Sequence, residues 1–514
     1  MKNYIIIILV AGILTTSCSN WLDLKPETQA TESQVFSTGN GYRTVLSGLY
    51  KAMTDAQLYG RELSFGMVDC ISQQYDLTLK KPSSLIYTAA NGFDYQSNDL
   101  HPLIEDIWKK SFNIVANANN LLQNIQGASP DLFKDGEIER RVIMGEAYAC
   151  RAMMHFDLLR LFAPAPVNDD GQVYVPYVEQ YPNVKASRID VSTFLGKVIT
   201  DLELARNLVM DFDTTTIGLT LMATPDSRFF DKRSSGMPTD KVEPLYQGRG
   251  YHLNYYSITA LLARVYLYAG KYKEATEYAA MLPEFQMQAS WWTYTMFSDN
   301  FNGLSAGNEE TKSDFRVRSN LIFALYNDKA YEDYDLNEYF RKNSNNLGVN
   351  YLVINKDNQK IFENKQQEDE SGLDVRARYQ IFNADSRYPL SGKYYCSADQ
   401  TVRDKNLSTI PMIRLTEMYY IMAECHARQG NWGKAKEILE SVRSKRGCSK
   451  QLNISNWAEF EEELIRDARR EWISEGQLFY LYKRLNANVD FGKNVVRPLK
   501  REEYLLPVSD SQTF

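Results

Sequence analysis

The chain has 514 residues, 44% of them hydrophobic and 24% charged, a composition that excludes collagen-like, disordered and polytopic membrane classes. Its length allows either about three ordinary domains or one extended architecture. With 58 Lys and Arg against 65 Asp and Glu, the net charge of −7 offers no counterion-release energy toward a nucleic acid, and four scattered His (His101, His155, His252, His426) leave little material for imidazole or metal chemistry.

Lys2 followed by the apolar run Tyr4 to Leu14, broken only by Gly12, reads as a signal peptide. At about 1.5 Å per residue the run covers roughly half of a ~30 Å hydrocarbon core, too little for a stable span. It ends in Leu14-Thr15-Thr16-Ser17-Cys18, similar to a bacterial lipobox although Leu14 stands one position earlier than usual. Residues 1–17 are thus the predicted lipoprotein signal peptide and Cys18 the predicted lipidation site. Acyl chains there would tether the mature chain, 18–514, to a membrane with about 0.8 kcal/mol per buried CH₂. The remaining cysteines, Cys70, Cys150, Cys396, Cys425 and Cys448, are odd in number and form no CxxC pair, which predicts buried free thiols.

Helices are predicted over 41–54, 103–125, 140–162 and 191–208 from apolar residues at three- and four-residue steps. In the third, Val142, Gly145, Ala149, Ala152, Phe156 and Leu159 include small residues that admit a close helix partner, and Pro164 and Pro166 end it. Two later segments match each other. Ala263, Gly270 and Ala275 recur as Ala423, Gly430 and Ala435, with the first Ala seven residues before the Gly and the second five after it. That spacing resembles a tetratricopeptide helical hairpin. The two copies are far apart in the chain, which argues against a regular solenoid. Two stretches, about 211–246 and 283–411, are irregular and rich in Asn, Asp, Ser, Gly and Tyr, with 321–326 and 351–354 as isolated strands. Loop-rich regions this long carry function more often than packing.

No HExxH, GxxxxGK[ST] or GxSxG motif is present, and Gly248-Arg249-Gly250 lacks the third Gly of GxGxxG. Glu461-Glu462-Glu463 reads as a solvated helix face rather than as part of a glycosidase pair. No enzyme activity, metal site or cofactor is expected. Binding has better material: Tyr75, Asp76, Tyr87 and Asn91 lie in one aromatic-rich polar stretch, and Trp291, Trp292 and Tyr294 in another. Trp291, Trp292, Tyr294, Tyr75 and Tyr87 are candidates to stack on sugar rings, with Asp76 and Asn91 bonding hydroxyls, although such surfaces grip peptides equally well.

Blocks along nearly the whole mature chain resemble the SusD/RagB family. They are Trp21 to Pro26 after Cys18, Ser47-Gly48-Leu49-Tyr50, Gly145-Glu146-Ala147 with Arg151, Asp157 and Arg160, then Arg414, Glu417, Glu424, Gly430, Arg443 and Arg446, then Arg470-Glu471, Glu475-Gly476-Gln477 and Lys483-Arg484, and finally Leu506-Pro507-Val508. Ala163 replaces a usual Gly, and Leu478 and Leu481 stand where an Arg and an Asp are expected. The resemblance implies a mainly α fold, a single domain of about four tetratricopeptide-like hairpins supporting a large loop-rich region with short strands. It further implies a lipid-anchored protein on the outer membrane, facing the cell exterior, that binds an oligomeric nutrient, usually a glycan, without cutting it. The partner so implied is a SusC-like TonB-dependent transporter, which the protein covers as a lid. A surface-anchored glycan hydrolase and a peptide-binding relative are the rival readings.

Overall fold

The structure, a computed structural model, describes residues 31–78, 85–182, 186–229, 242–289, 292–301, 304, 314–342, 350–355, 360–395, 400–492 and 495–508. The predicted signal peptide, Cys18, Trp291 and Cys396 lie outside the described residues. Eight helices build the body: α1 (Gly39–Met53), α2 (His101–Gln126), α3 (Gly136–Phe162), α4 (Val191–Asp213), α5 (Tyr255–Tyr268), α6 (Tyr272–Glu284), α7 (Leu415–Arg428) and α8 (Trp432–Ser444). Each packs on the one before it, so they form four successive pairs; α9 (Trp457–Glu471) lies against α7 and α8, and α10 (Leu478–Leu485) against α9.

Local chemistry starts these helices where they begin. Asp190 accepts from the Thr193 amide, Asn254 from those of Tyr256 and Ser257, and Asn456 from that of Glu459, each filling an N-terminal donor that has no partner inside the helix. In α3 the apolar stripe includes Gly145, where a Cβ would stand 2.7 Å from Val209 Cγ1 and 2.9 Å from the Ala205 carbonyl, so α3 and α4 meet backbone to backbone. Helix α4 runs five residues beyond its expected end. Asp211 and Asp213 at its C-terminus oppose the helix dipole, and Arg141 and Arg249 offset them by ion pairs.

The two matching segments are α5–α6 and α7–α8. Ala263, Ala275, Ala423 and Ala435 are all fully buried at the helix contacts. Gly270 (φ +72°) and Gly430 (φ +75°) turn the chain through the left-handed region, and both turns carry the same bonds, Lys271 N–H to the Tyr266 carbonyl and Asn431 N–H to the His426 carbonyl. Although far apart in the chain, the two pairs are neighbours in space: α6 packs directly on α7, and the intervening 285–414 segment is looped out. A Cβ added at Gly430 meets nothing within 4 Å. Gly430→Ala is therefore expected to cost only the backbone strain, about 1 kcal/mol in chemical denaturation.

The looped-out segment has more structure than its composition predicts. A hairpin pairs β1 (Gln286–Ala289) with β2 (Trp292–Thr295), and another pairs β4 (Ile381–Ala384) with β5 (Tyr388–Ser391). Strand β3 (Leu321–Tyr326) is not isolated: it pairs antiparallel with β6 (Thr409–Arg414), which runs straight into α7. Residues 351–354 form no strand, only a single bridge between Ile354 and Tyr75. The 211–246 stretch likewise includes helices Thr216–Met222 and Pro225–Arg228. Cys70, Cys150, Cys425 and Cys448 are buried free thiols, and burial pushes Cys425 up to about 11 and Cys448 up to about 12.

Candidate functional site

The looped-out segment is sewn to the helices by buried ions. Glu471 at the end of α9 accepts from Arg376 Nη1 at 2.8 Å, Arg446 Nη2 at 2.9 Å and Thr416 Oγ1 at 2.7 Å, while its carbonyl accepts from Lys393 Nζ at 2.6 Å. Arg376 also forks onto Asp374 and reaches Asp467, Arg446 reaches Asp299, and Arg443 and Arg470 share Glu370. Arg414 and Lys393 share Glu475. Six cations thus face six carboxylates out of reach of solvent. Burial alone would push the Glu471 carboxyl up; Arg446 and Arg376 beside it hold it well below the usual carboxylate range. The Glu461–Glu463 run joins this frame rather than forming a fully solvated face. Glu463 is buried, and Glu461 accepts from the Trp457 indole N–H at 2.8 Å.

The expected binding residues fall into three groups. Tyr75 and Tyr87 are 2% and 1% exposed. Tyr75 Oη donates to the Phe65 carbonyl and pairs with Ser474 Oγ, both at 2.9 Å, and Tyr87 Oη reaches Glu62 at 3.3 Å. Neither ring turns a face to solvent, so the stacking expected of them is corrected: both are packed in the interior with their hydroxyls paired. A Tyr in a polar stretch is consistent with burial once its hydroxyl has a partner. Asp76 is buried with its carboxylate on the Thr78 amide and hydroxyl, and the Asn91 amide spans the Cys70 carbonyl and Gln73 Oε1. Trp292 and Tyr294 lie in β2 opposite Ala289 and Met287, where the backbone alone is described.

The segment 326–338, with Arg61, carries surface groups that the sequence reading did not single out. Tyr326, at the end of β3, is 51% exposed, with its ring 5.1 Å from that of Tyr251, itself 5.1 Å from the buried Phe229 ring. Five residues on, the half-buried Tyr331 ring lies 4.8 Å from the Arg403 guanidinium. Asp335 follows and pairs with Arg61 at 2.8 Å, and Arg61 also bonds Glu62 at 2.8 Å above Tyr87. The exposed Glu338 accepts from Asn350 at 2.7 Å. Two surface rings, Tyr326 and Tyr331, thus precede charged hydrogen-bonding groups along one segment, the two kinds of chemistry that fit the face and the edge of a sugar ring. The sequence signal for it was partial: Tyr331-Glu332-Asp333-Tyr334-Asp335 mixes rings and acids, but Tyr334 is buried with its hydroxyl on the Thr54 carbonyl at 2.6 Å. Among the described residues no three His, Cys, Asp or Glu side chains converge as metal ligands do. A cavity of about 50 Å³ beside Arg264, Glu417, Glu424 and Arg484, at the junction of α5, α7 and α10, has room for water rather than for a sugar.

The fold is thus a row of helical pairs carrying a large loop-rich insertion, and comparison with known proteins gives it a family. Residues 20–218 match a SusD-like family model described as starch-binding and associating with the outer membrane, and residues 279–513 match the SusD family model. SusD-like protein P2 of Formosa agariphila is 22% identical across 99% of this chain and 96% of its own length. Among solved structures, a SusD-like carbohydrate-binding protein of Bacteroides vulgatus superposes with a TM-score of 0.62 at 16% identity, covering 92% of this chain and 95% of that one. A SusD superfamily protein of Bacteroides thetaiotaomicron gives 0.61 at 20% identity over 89% and 91%. A laminarin-binding SusD-like protein gives 0.57 at 16% identity over 87% and 91%. The chain belongs to the SusD/RagB family. No helix among the described residues is long and apolar enough to cross a membrane.

Proposed function

We propose that this protein captures an oligosaccharide at the outer surface of the outer membrane, does not cleave it, and delivers it to a SusC-like TonB-dependent transporter that it covers as a lid. Lipid on Cys18 holds the mature chain, residues 18–514, at the membrane. What supports the reading most is the family match extending over both the helical and the loop-rich parts, with its description as starch-binding and associated with the outer membrane. The exposed groups from Tyr326 to Arg61 are its natural ligand surface, and Trp291, Trp292 and Tyr294 are further stacking candidates on the strength of the sequence. Tethering beside a pore raises the effective concentration of captured ligand, so moderate affinity suffices.

Laminarin, the ligand named for one structural neighbour, and starch are the first probes. Tyr326→Ala with Tyr331→Ala is expected to weaken binding of the cognate glycan by about tenfold per ring, roughly 1.4 kcal/mol each, with an unchanged circular dichroism spectrum. Unaltered affinity would remove these two rings from the site, and the same titration on Trp291→Ala/Trp292→Ala tests that pair. Shortened glycan products during incubation would favour the hydrolase reading, and affinity for peptides alone would favour the peptide-binding one. Co-purification of a TonB-dependent transporter with the lipidated chain tests the partnership.

A further inference from the structure

Buried tyrosine hydroxyls in this chain find an oxygen to bond. Tyr59 donates to Asp157, Tyr95 to the Glu503 carbonyl and Tyr334 to the Thr54 carbonyl, each at 2.6 Å. Tyr268 on α5 and Tyr480 on α10 do not. The two residues are 4% and 5% exposed, and neither hydroxyl has a hydrogen-bond partner in the protein. Both line the cavity of about 50 Å³ at the junction of α5, α7 and α10.

Helical spacing brings the polar wall of this cavity together. Arg264 and Tyr268 stand four residues apart on α5, Tyr480 and Arg484 four apart on α10, and Glu417 and Glu424 seven apart on α7. Each pair therefore shares the face that its helix turns to the cavity. Both arginines are satisfied: Arg264 forks onto Glu417 with two bonds of 2.6 Å, and Arg484 onto Glu424 at 2.6 and 2.7 Å. A third guanidinium, that of Arg160, lies 3.8 Å from the Tyr480 ring centroid and is held by Asp157. Three cations thus face three carboxylates, and the wall offers no excess charge to draw in an ion. A carboxylate oxygen that accepts from such a fork still has a lone pair to offer. Burial pushes both phenols up, so each hydroxyl keeps its proton and can donate as well as accept.

We propose that this cavity is an internal hydration site, where a cluster of about three ordered waters, at roughly 15 Å³ each, bridges the Tyr268 and Tyr480 hydroxyls to the Glu417 and Glu424 carboxylates. The balanced wall selects a neutral occupant over an ion, and the volume selects water over a sugar. The waters carry the polar contact of α10 with α5 and α7, three helices drawn from distant parts of the chain. Glycan binding plays no part in it.

Two measurements on the full mature chain test it. Tyr268→Phe and Tyr480→Phe are each expected to lower Tm by roughly 1–2 °C, because each keeps its ring but takes a hydrogen bond from the waters. A dry cavity gives the opposite sign, since deleting a hydroxyl that has no partner leaves Tm unchanged or raises it. Either of those results, in either variant, overturns the proposal. High-resolution crystals of the wild type should show solvent peaks within about 3.2 Å of both hydroxyl oxygens, and Tyr480→Phe crystals should lose the peak beside residue 480. A cavity without solvent density, or one filled by a larger molecule, overturns the proposal as well.

Discussion

Glu471→Gln is expected to lower the free energy of unfolding by about 3–5 kcal/mol, because it strips the shared charge from two buried guanidinium groups. Arg376 and Arg446 converge on that carboxylate with Thr416, and none of the three has solvent to fall back on. The substitution keeps the shape and leaves one carbonyl acceptor, so the loss measures charge rather than a cavity. Its signature is local before it is global. Asp299, Glu370, Asp374, Arg376 and Lys393 come from the looped-out segment, whereas Thr416, Arg443, Arg446, Asp467 and Glu471 belong to the helical body. Amide exchange in 360–376 should therefore quicken more than in α2 or α3. Arg446→Met combined with Glu471→Gln should cost less than the two single changes added together, by about 1–3 kcal/mol, since each single change strands the other's charge. Additive losses in urea denaturation would mean that the pair is not coupled.

This network also explains what was legible in the sequence. Many of the charged residues in the blocks that carry the family resemblance are members of buried ion pairs. Glu146 meets Arg249, Arg151 meets Asp201, and Asp157 meets Arg160. Arg264 meets Glu417, Glu424 meets Arg484, and Arg414 meets Glu475. Removing one partner of a buried ion pair strands the other's charge, so each of these positions bears heavily on stability. The helical pairs were readable because a 3.6-residue period, contact alanines and turn glycines are local signals. The stacking of α6 on α7 was not, because nothing local records which helices meet across a long insertion.

The binding surface was the least legible part, for a related reason. An aromatic residue in a polar stretch has two stable fates, exposed on a wet face or buried with its hydroxyl paired, and composition does not separate them. Tyr75 and Tyr87 took the second, through Ser474 and Glu62, residues distant in the chain that no local pattern could have named. Tyr326 took the first because β3 ends there, in a strand whose five preceding residues are all buried.

Acid should open the frame at a second hub. Glu146 on α3 binds Arg249 through one oxygen, and through the other accepts from the Tyr50 hydroxyl at 2.7 Å and faces His252 Nδ1 at 2.8 Å; Arg249 forks onto Asp213 at 3.0 and 2.9 Å. One carboxylate thereby joins α1, α3, α4 and the turn into α5. Burial opposes its charge, but His252 and Arg249 outweigh burial and bring its pKa from 4.5 to about 2. A carboxyl held lower in the folded state stabilises that state fully above pH 4.5 and loses its contribution as pH falls through 2, here on the order of 3 kcal/mol. Asp213 works the other way: burial raises its value, so it takes a proton first and its protonation favours the folded state. The part of the stability that Glu146 supplies should therefore hold from pH 7 down to about 4.5 and fall below it, whereas the buried His155, held by burial well below the usual imidazole range, draws stability down from about pH 6.5 in wild type and Glu146 variants alike. Glu146→Gln should lower stability at pH 7 by about 3–5 kcal/mol and flatten the fall between pH 4.5 and 2. Melting temperatures of the two proteins that decline in parallel over that range would assign the acid lability to other carboxylates.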